Sequence, residues 1–153
     1  MPANDRRPAL TQGEVCVFER NHEFQRDIYS DHHQLLADEP LSHHGTDLGF
    51  DPYELLMASL GACTSMTVRM YASHKGWPLD NVEVHLHHEK VPHNTADPKG
   101  AVTDRVTRTV RVTGALSEDQ RARLLDVANK CPLYRTLTGQ LQISTTLALD
   151  GAA

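Results

Sequence analysis

The stretch 51-DPYELLMASLGACTSMTVRMYASHKGWPL-79 decides how this chain is read. It is a well-signalled helix. Asp51 can serve as N-cap, Pro52 carries the preset φ of a first helical residue, and Glu54 falls three residues after the cap. Gly76 and Pro78 stop it beyond Lys75. From Leu55 to Val68 there is no charge, and Ala58, Ser59, Gly61 and Ala62 supply small side chains. A helix apolar all round is expected to be buried, and Leu60 to Ala62 are expected to face another helix or a second subunit. The uncharged run is shorter than the roughly 20 residues a membrane span requires.

Upstream of this helix the pattern is extended. Glu14–Arg20 alternates, with Val15 and Val17 on one face and Cys16 and Phe18 on the other. Asn21-His22 reads as a turn, a second run follows through Tyr29, and a third covers Gln34–Ala37. Asp38-Glu39-Pro40 ends regular structure, and Ser42–Phe50 is loop by composition. The first 12 residues are expected to form a flexible segment.

Downstream, Asn81–Val91 alternates with Val82, Val84 and Leu86 inward, and Arg105–Thr113 with Val106, Val110 and Val112 on one face. The two are expected to pair as an antiparallel hairpin across the loop that holds Pro92, Asn94, Asp97, Pro98 and Gly100. Arg105 and Arg111 lie opposite the valines. Arg108 lies among them, and the sequence offers no reason beyond a bulge or an edge position. Ser117 caps a second helix with Gln120 completing a capping box. Leu124, Leu125, Val127 and Ala128 form its apolar stripe, and Cys131-Pro132 is expected to close it. Leu141–Leu149 reads as a final strand. Helices interrupt strands singly and no βαβ unit repeats, so the fold class is α+β.

Bulk composition narrows the function. A chain of 153 residues suits one domain with a proper core. A net charge of -5 offers no positive surplus for nucleic acid or an anionic membrane. The opening MPANDRRPAL has no apolar signal core, and three cysteines do not make a secreted disulfide framework, so a cytoplasmic setting is expected.

Two cysteines stand in contrasting settings, Cys63 inside the apolar helix and Cys131 beside Pro132. Free cysteine is commonly an inert small hydrophobe, and Cys16 on its strand reads so. For Cys63 two readings stay open. Nothing local lowers its pKa, more than two turns into the helix, and activation requires a cation from elsewhere in the fold, Arg20 or Arg135 for example.

Asp38-Glu39-Pro40, the glycine-bearing loop, the helix quoted above and 129-NKCPLYRTL-137 together resemble the OsmC/Ohr family of osmotically inducible and organic hydroperoxide resistance proteins, nearest its general OsmC-like branch. The resemblance runs from about Asp38 to the last strand. It implies antiparallel sheets around two central helices in an intertwined homodimer, and a thiol-dependent peroxidase acting on organic hydroperoxides. Cys63 matches the family's peroxidatic cysteine and Cys131 the resolving one. The implied cycle passes through a Cys63 sulfenic acid and a Cys63–Cys131 disulfide, reopened by an external dithiol, a lipoylated protein being the implied partner. No metal, flavin or nucleotide is implied. An apolar pocket walled by Leu60, Met66, Met57 or their neighbours would favour alkyl hydroperoxides.

The family holds its thiolate with an arginine and a glutamate. Arg20 is the nearest match to the arginine. The glutamate follows the proline directly, where this chain has Tyr53, and Glu54 falls one place later, about 100° round the helix. Arg20 and Glu54 are thus the candidates for polar support, each with an alternative, a strand-end charge and the third residue of the Asp51 cap. Another departure is His43-His44-Gly45, where this branch has two glycines. His85 and His87 share a strand face and could chelate a metal with His88 or His93 nearby, though no metal-binding spacing accompanies them. An alternative to the peroxidase is an OsmC-like protein whose dimer-interface cavity binds a small apolar or acyl ligand.

Overall fold

The computed structural model describes residues 7–93 and 100–148. Its contacts divide the chain into two compact units, Met1–Ala58 and Ser59–Ala153. Elements run β1 (Cys16–Glu19), β2 (Arg26–Tyr29), β3 (Gln34–Ala37), α1 (Pro52–Lys75), β4 (Leu79–Pro92), β5 (Val102–Gly114), α2 (Glu118–Ala128) and α3 (Pro132–Thr138). The architecture is α+β with antiparallel sheets, as the sequence implies. The boundary between the units falls inside α1.

In the first unit, β1, β2 and β3 form an antiparallel sheet in that order. The turn between β1 and β2 is made by Asn21, whose side chain accepts the Glu23 N–H, and by His22 at φ +57. The loop after β3 is organised by one buried carboxylate. Asp38 accepts N–H bonds from Glu39, Thr46 and Leu48 and the Thr46 hydroxyl. Gly45 is required there by close approach, since a Cβ on it would meet the Glu39 carbonyl. Phe50 then bridges back to Ala37.

In the second unit, β4 and β5 pair antiparallel from Leu79↔Gly114 to Pro92↔Val102, with one irregularity between Leu79 and Asn81. The loop expected between them lies largely at 94–99, outside the described residues, as do residues 1–6 of the N-terminal segment. The core joins Val68 and Ala72 of α1 to Leu79, Leu116, Leu124 and Ala128, with Val82, Val110 and Val112 packed against it. α1 ends as its glycine signals. Gly76 at φ +64 donates to Ser73, and Trp77 donates to Ala72, which satisfies carbonyls the helix would otherwise leave open. Ser117 and Gln120 form the capping box of α2.

Four expectations are corrected. α1 is not buried all round in the single chain: Leu60, Thr64, Val68 and Ala72 form one buried stripe at four-residue spacing, while Met66 and Met70 are each 69% exposed. Within the chain Gly61 meets a strand and not another helix, because a Cβ there would come within 2.9 Å of Leu86 Cδ1. Leu125 is exposed, so the stripe of α2 is Leu124, Val127 and Ala128. Residues 141–148 form no strand among the described residues, and Ile143 and Leu147 are 81% and 87% exposed. A strand needs a hydrogen-bonded neighbour, and sequence alternation alone does not supply one.

The Asp38 carboxyl is held below its ordinary value chiefly by the Thr46 hydroxyl, with the Leu48, Glu39 and Thr46 N–H groups adding to it, against the upward push of burial. A depressed carboxylate contributes stability that is present above its unfolded pKa of about 3.9 and lost as pH falls through the lower folded value. Wild-type melting temperature should therefore decline below about pH 4 more steeply than that of Asp38→Asn, with the variant already less stable at neutral pH.

Candidate functional site

The site is built on the second unit by three elements and the link that leads into the last of them. The first is α1, whose buried stripe carries Thr64 one turn from Val68, with Cys63 beside it and partly exposed. The second is β5, where Arg108 stands opposite Leu86 and on the same face as Val106, Val110 and Val112. The third is α3, with the link from α2 through Asn129. The sequence expects Cys131 to close α2, and the structure corrects this. α2 ends at Ala128, and Cys131 is the N-cap of α3, with Pro132 at its first position. The Cys-Pro pair starts a helix because proline's missing N–H is one a first turn does not use.

Both thiols face this first turn. The Leu133 N–H donates to Cys63 Sγ at 3.5 Å, and the Tyr134 N–H donates to Cys131 Sγ at 3.4 Å. Cys63 is among the neighbours that hold the Cys131 thiol down. Both are free thiols in this structure. Their accessibility differs: Cys131 is wholly buried, at 0% exposure.

Thr64 and Arg108 complete the surroundings of Cys131. Thr64 Oγ1 lies 3.6 Å from Cys131 Sγ and donates to the Leu60 carbonyl at 2.7 Å. Arg108 Nη1 donates to Thr64 Oγ1 at 2.8 Å and stands 4.0 Å from Cys131 Sγ. Its Nη2 donates to Asn129 Oδ1 at 2.9 Å, and its guanidinium lies over the Tyr134 ring, 5.3 Å from the centroid. Thr64 has one hydroxyl proton and two acceptors for it, the Leu60 carbonyl and the sulfur. A thiolate attracts that hydrogen bond; a neutral thiol leaves it directed at the Leu60 carbonyl. Burial pushes the Cys131 thiol upward, but the Tyr134 N–H, the Thr64 hydroxyl, the Cys63 side chain and the Arg108 charge outweigh it, and the net direction is down.

Arg20 and Glu54 lie in the first unit. Arg20 pairs with Asp27 at 3.5 Å. Glu54 forms a reciprocal cap with Asp51: the Asp51 N–H donates to Glu54 Oε2 at 3.0 Å and the Glu54 N–H to Asp51 Oδ1 at 2.8 Å. Arg135 is exposed on α3. The strand histidines turn to carboxylates, His85 to Glu83 and His88 to Asp104. Among the described residues no three His, Cys, Asp or Glu side chains converge as a metal set.

Beside the thiol cluster, a cavity of about 440 Å³ is lined by Leu60, Val106 and Leu137 on its apolar side and by Arg108, Asn129 and Tyr134 among its polar groups. Arg108 thus borders both the cavity and Cys131. Among the described residues no helix is long and apolar enough to cross a membrane.

A family model described as OsmC-like protein matches residues 44–146, which takes in both cysteine settings. The chain belongs to the OsmC-like family. Solved structures show the same fold. An OsmC-like protein from Mycoplasma pneumoniae superposes at TM-score 0.68 with 22% identity, covering 84% of this chain and 89% of that one. An organic hydroperoxide resistance protein OsmC from Legionella pneumophila gives 0.62 with 19% identity, over 86% and 93%. The organic hydroperoxide resistance protein OhrB of Bacillus subtilis gives 0.58 with 19% identity, over 82% and 90%. At these identities the likeness is one of fold. No curated protein matches the sequence.

Arg108, Thr64, Asn129 and Tyr134 were not singled out from this OsmC-like sequence as site residues. One signal was present, an arginine in register with three valines. If Thr64 serves the Cys131 thiolate as described, Thr64→Val raises the pH at which that thiolate forms while Thr64→Ser leaves it near wild type. Ultraviolet thiolate absorbance titrated against pH, in a Cys16→Ser/Cys63→Ser background, reads this directly.

Proposed function

We propose that this OsmC-like protein is a thiol-dependent peroxidase that reduces organic hydroperoxides. The observation that carries the reading is the meeting of Cys63 and Cys131 at the first turn of α3, each sulfur accepting a successive backbone N–H. Cys63 is the nucleophile because it is the partly exposed thiol of the pair in the single chain, whereas Cys131 is wholly buried. The Cys63 thiolate attacks the distal peroxide oxygen, the O–O bond breaks, and the alcohol leaves once its alkoxide takes a proton. Cys131 then attacks the Cys63 sulfenic acid, water departs, and the disulfide forms. An external dithiol, a dihydrolipoyl group being one candidate, restores both thiols. This cycle needs no bound cofactor. The names of the Legionella and Bacillus relatives agree with organic hydroperoxides as the substrate class.

The apolar wall of the cavity, Leu60, Val106 and Leu137, supports a second reading, a binding protein for a small apolar or acyl ligand. One experiment separates the two. After one equivalent of cumene hydroperoxide, peptide mass mapping should show a Cys63–Cys131 disulfide in wild type and none in Cys63→Ser. Free thiols in the treated wild type would sink the peroxidase and leave the binding protein.

We also propose that the working form is a homodimer. Met66 and Met70 on α1 and Ile143 and Leu147 near the C-terminal end are exposed apolar groups in the single chain, and burying such surface favours association. Light scattering on the full chain should give twice the chain mass; the monomer mass at micromolar concentration would overturn this.

A further inference from the structure

A disulfide between two cysteines can be opened at either sulfur, and the two sides of this couple are not equivalent. Cys63 is partly exposed and accepts a hydrogen bond from the Leu133 N–H. Cys131 is out of solvent and is met by the Tyr134 N–H, the Thr64 hydroxyl and the Arg108 guanidinium. A thiol attacks the sulfur it can reach and expels the one that leaves best as a thiolate. We infer that the external dithiol attacks Cys63 Sγ and that Cys131 departs as a thiolate received by Arg108 and Thr64, so that Arg108 sets the direction of reduction. This rests on the Cys63–Cys131 couple proposed above.

The step balances in thiols alone. One thiolate of the dithiol forms a bond to Cys63 Sγ, the Cys63–Cys131 bond breaks, and the electron pair stays on Cys131 Sγ. The second thiolate of the dithiol then attacks its own sulfur in that mixed disulfide. Cys63 leaves as a thiolate, and the dithiol carries away both oxidised sulfurs as its own disulfide.

The geometry around Arg108 gives it this role. Its two terminal nitrogens are directed to Thr64 and Asn129, and its plane rests over Tyr134, so the cation is held beside Cys131 before any charge forms there. A pre-placed cation stabilises a developing anion without reorganising at the moment of reaction. The sequence offers Arg20 or Arg135 as the cation for Cys63; Arg108 is the cation that the second unit itself places beside Cys131. The lowered Cys131 thiol accords with this arrangement. The titratable and charged groups that act on it are Cys63 from α1 and Arg108 from β5.

The test starts from protein oxidised with diamide, so that it does not depend on whether a hydroperoxide is the substrate. A brief pulse of N-acetylcysteine, an acid quench and alkylation under denaturing conditions should leave the N-acetylcysteine adduct on Cys63 and the alkyl group on Cys131. The adduct on Cys131 would overturn the inference, as would failure of diamide to join the two cysteines. Dithiothreitol should reduce the disulfide of Arg108→Met about tenfold more slowly than that of wild type, with Arg108→Lys between them. In the Cys16→Ser/Cys63→Ser background, Arg108→Met should also move Cys131 thiolate formation to higher pH. Reduction of Arg108→Met at the wild-type rate would overturn Arg108's part. The trapping on wild type stands whether or not the variant folds. Opening at Cys63 with no oxidation by hydroperoxide would sink the peroxidase and keep the inference. Oxidation by hydroperoxide with opening at Cys131 would do the reverse.

Discussion

A half-buried guanidinium on the apolar face of a hairpin needs polar partners. Arg108 occupies a position in line with Val106, Val110 and Val112, where an unpaired charge would be costly to keep out of water. Its partners come from three directions. Thr64 is reached on α1, Asn129 at the end of α2, and the Tyr134 ring on α3. Satisfying one cation therefore draws the same three elements around Cys131. The contacts that hold Arg108 and the means to stabilise a thiolate are one arrangement.

That arrangement rests on ordinary packing. Val68 and Ala72 of α1 share a core with Leu124 and Ala128 of α2. Thr64 continues the same stripe one turn earlier, where the apolar core gives way to hydroxyl, guanidinium and thiol. The core fixes the rotation of α1 and so decides that Thr64, and not Ser65 or Thr67, meets Cys131. Pro132 fixes the start of α3 and aims two successive N–H groups at the two sulfurs.

The first unit answers to a different constraint. Asp38, buried at the end of β3, gathers three N–H groups and a hydroxyl and thereby shapes the loop that leads into α1. Glu54 is drawn into the cap of that helix with Asp51.

Much of the fold was legible in the residues. The helix from Pro52 to Lys75 and its stop at Gly76, the hairpin of β4 with β5, and the Ser117 capping box all follow from local periodicity and capping chemistry. The residues by themselves determined that Cys63 sits inside an apolar helix and that Cys131 adjoins a proline. They did not determine what surrounds either sulfur. Cys131-Pro132 looked like the end of α2 because proline both ends and begins helices, and only the continuation through Thr138 separates the two. Residues 141–148 alternate like a strand, but a strand exists only where another edge accepts its hydrogen bonds. Arg108 had no explanation in one dimension because its reason is a threonine 44 residues earlier and an asparagine 21 residues later. Local chemistry is written in neighbouring residues; the partners of a half-buried guanidinium are settled only when distant segments meet.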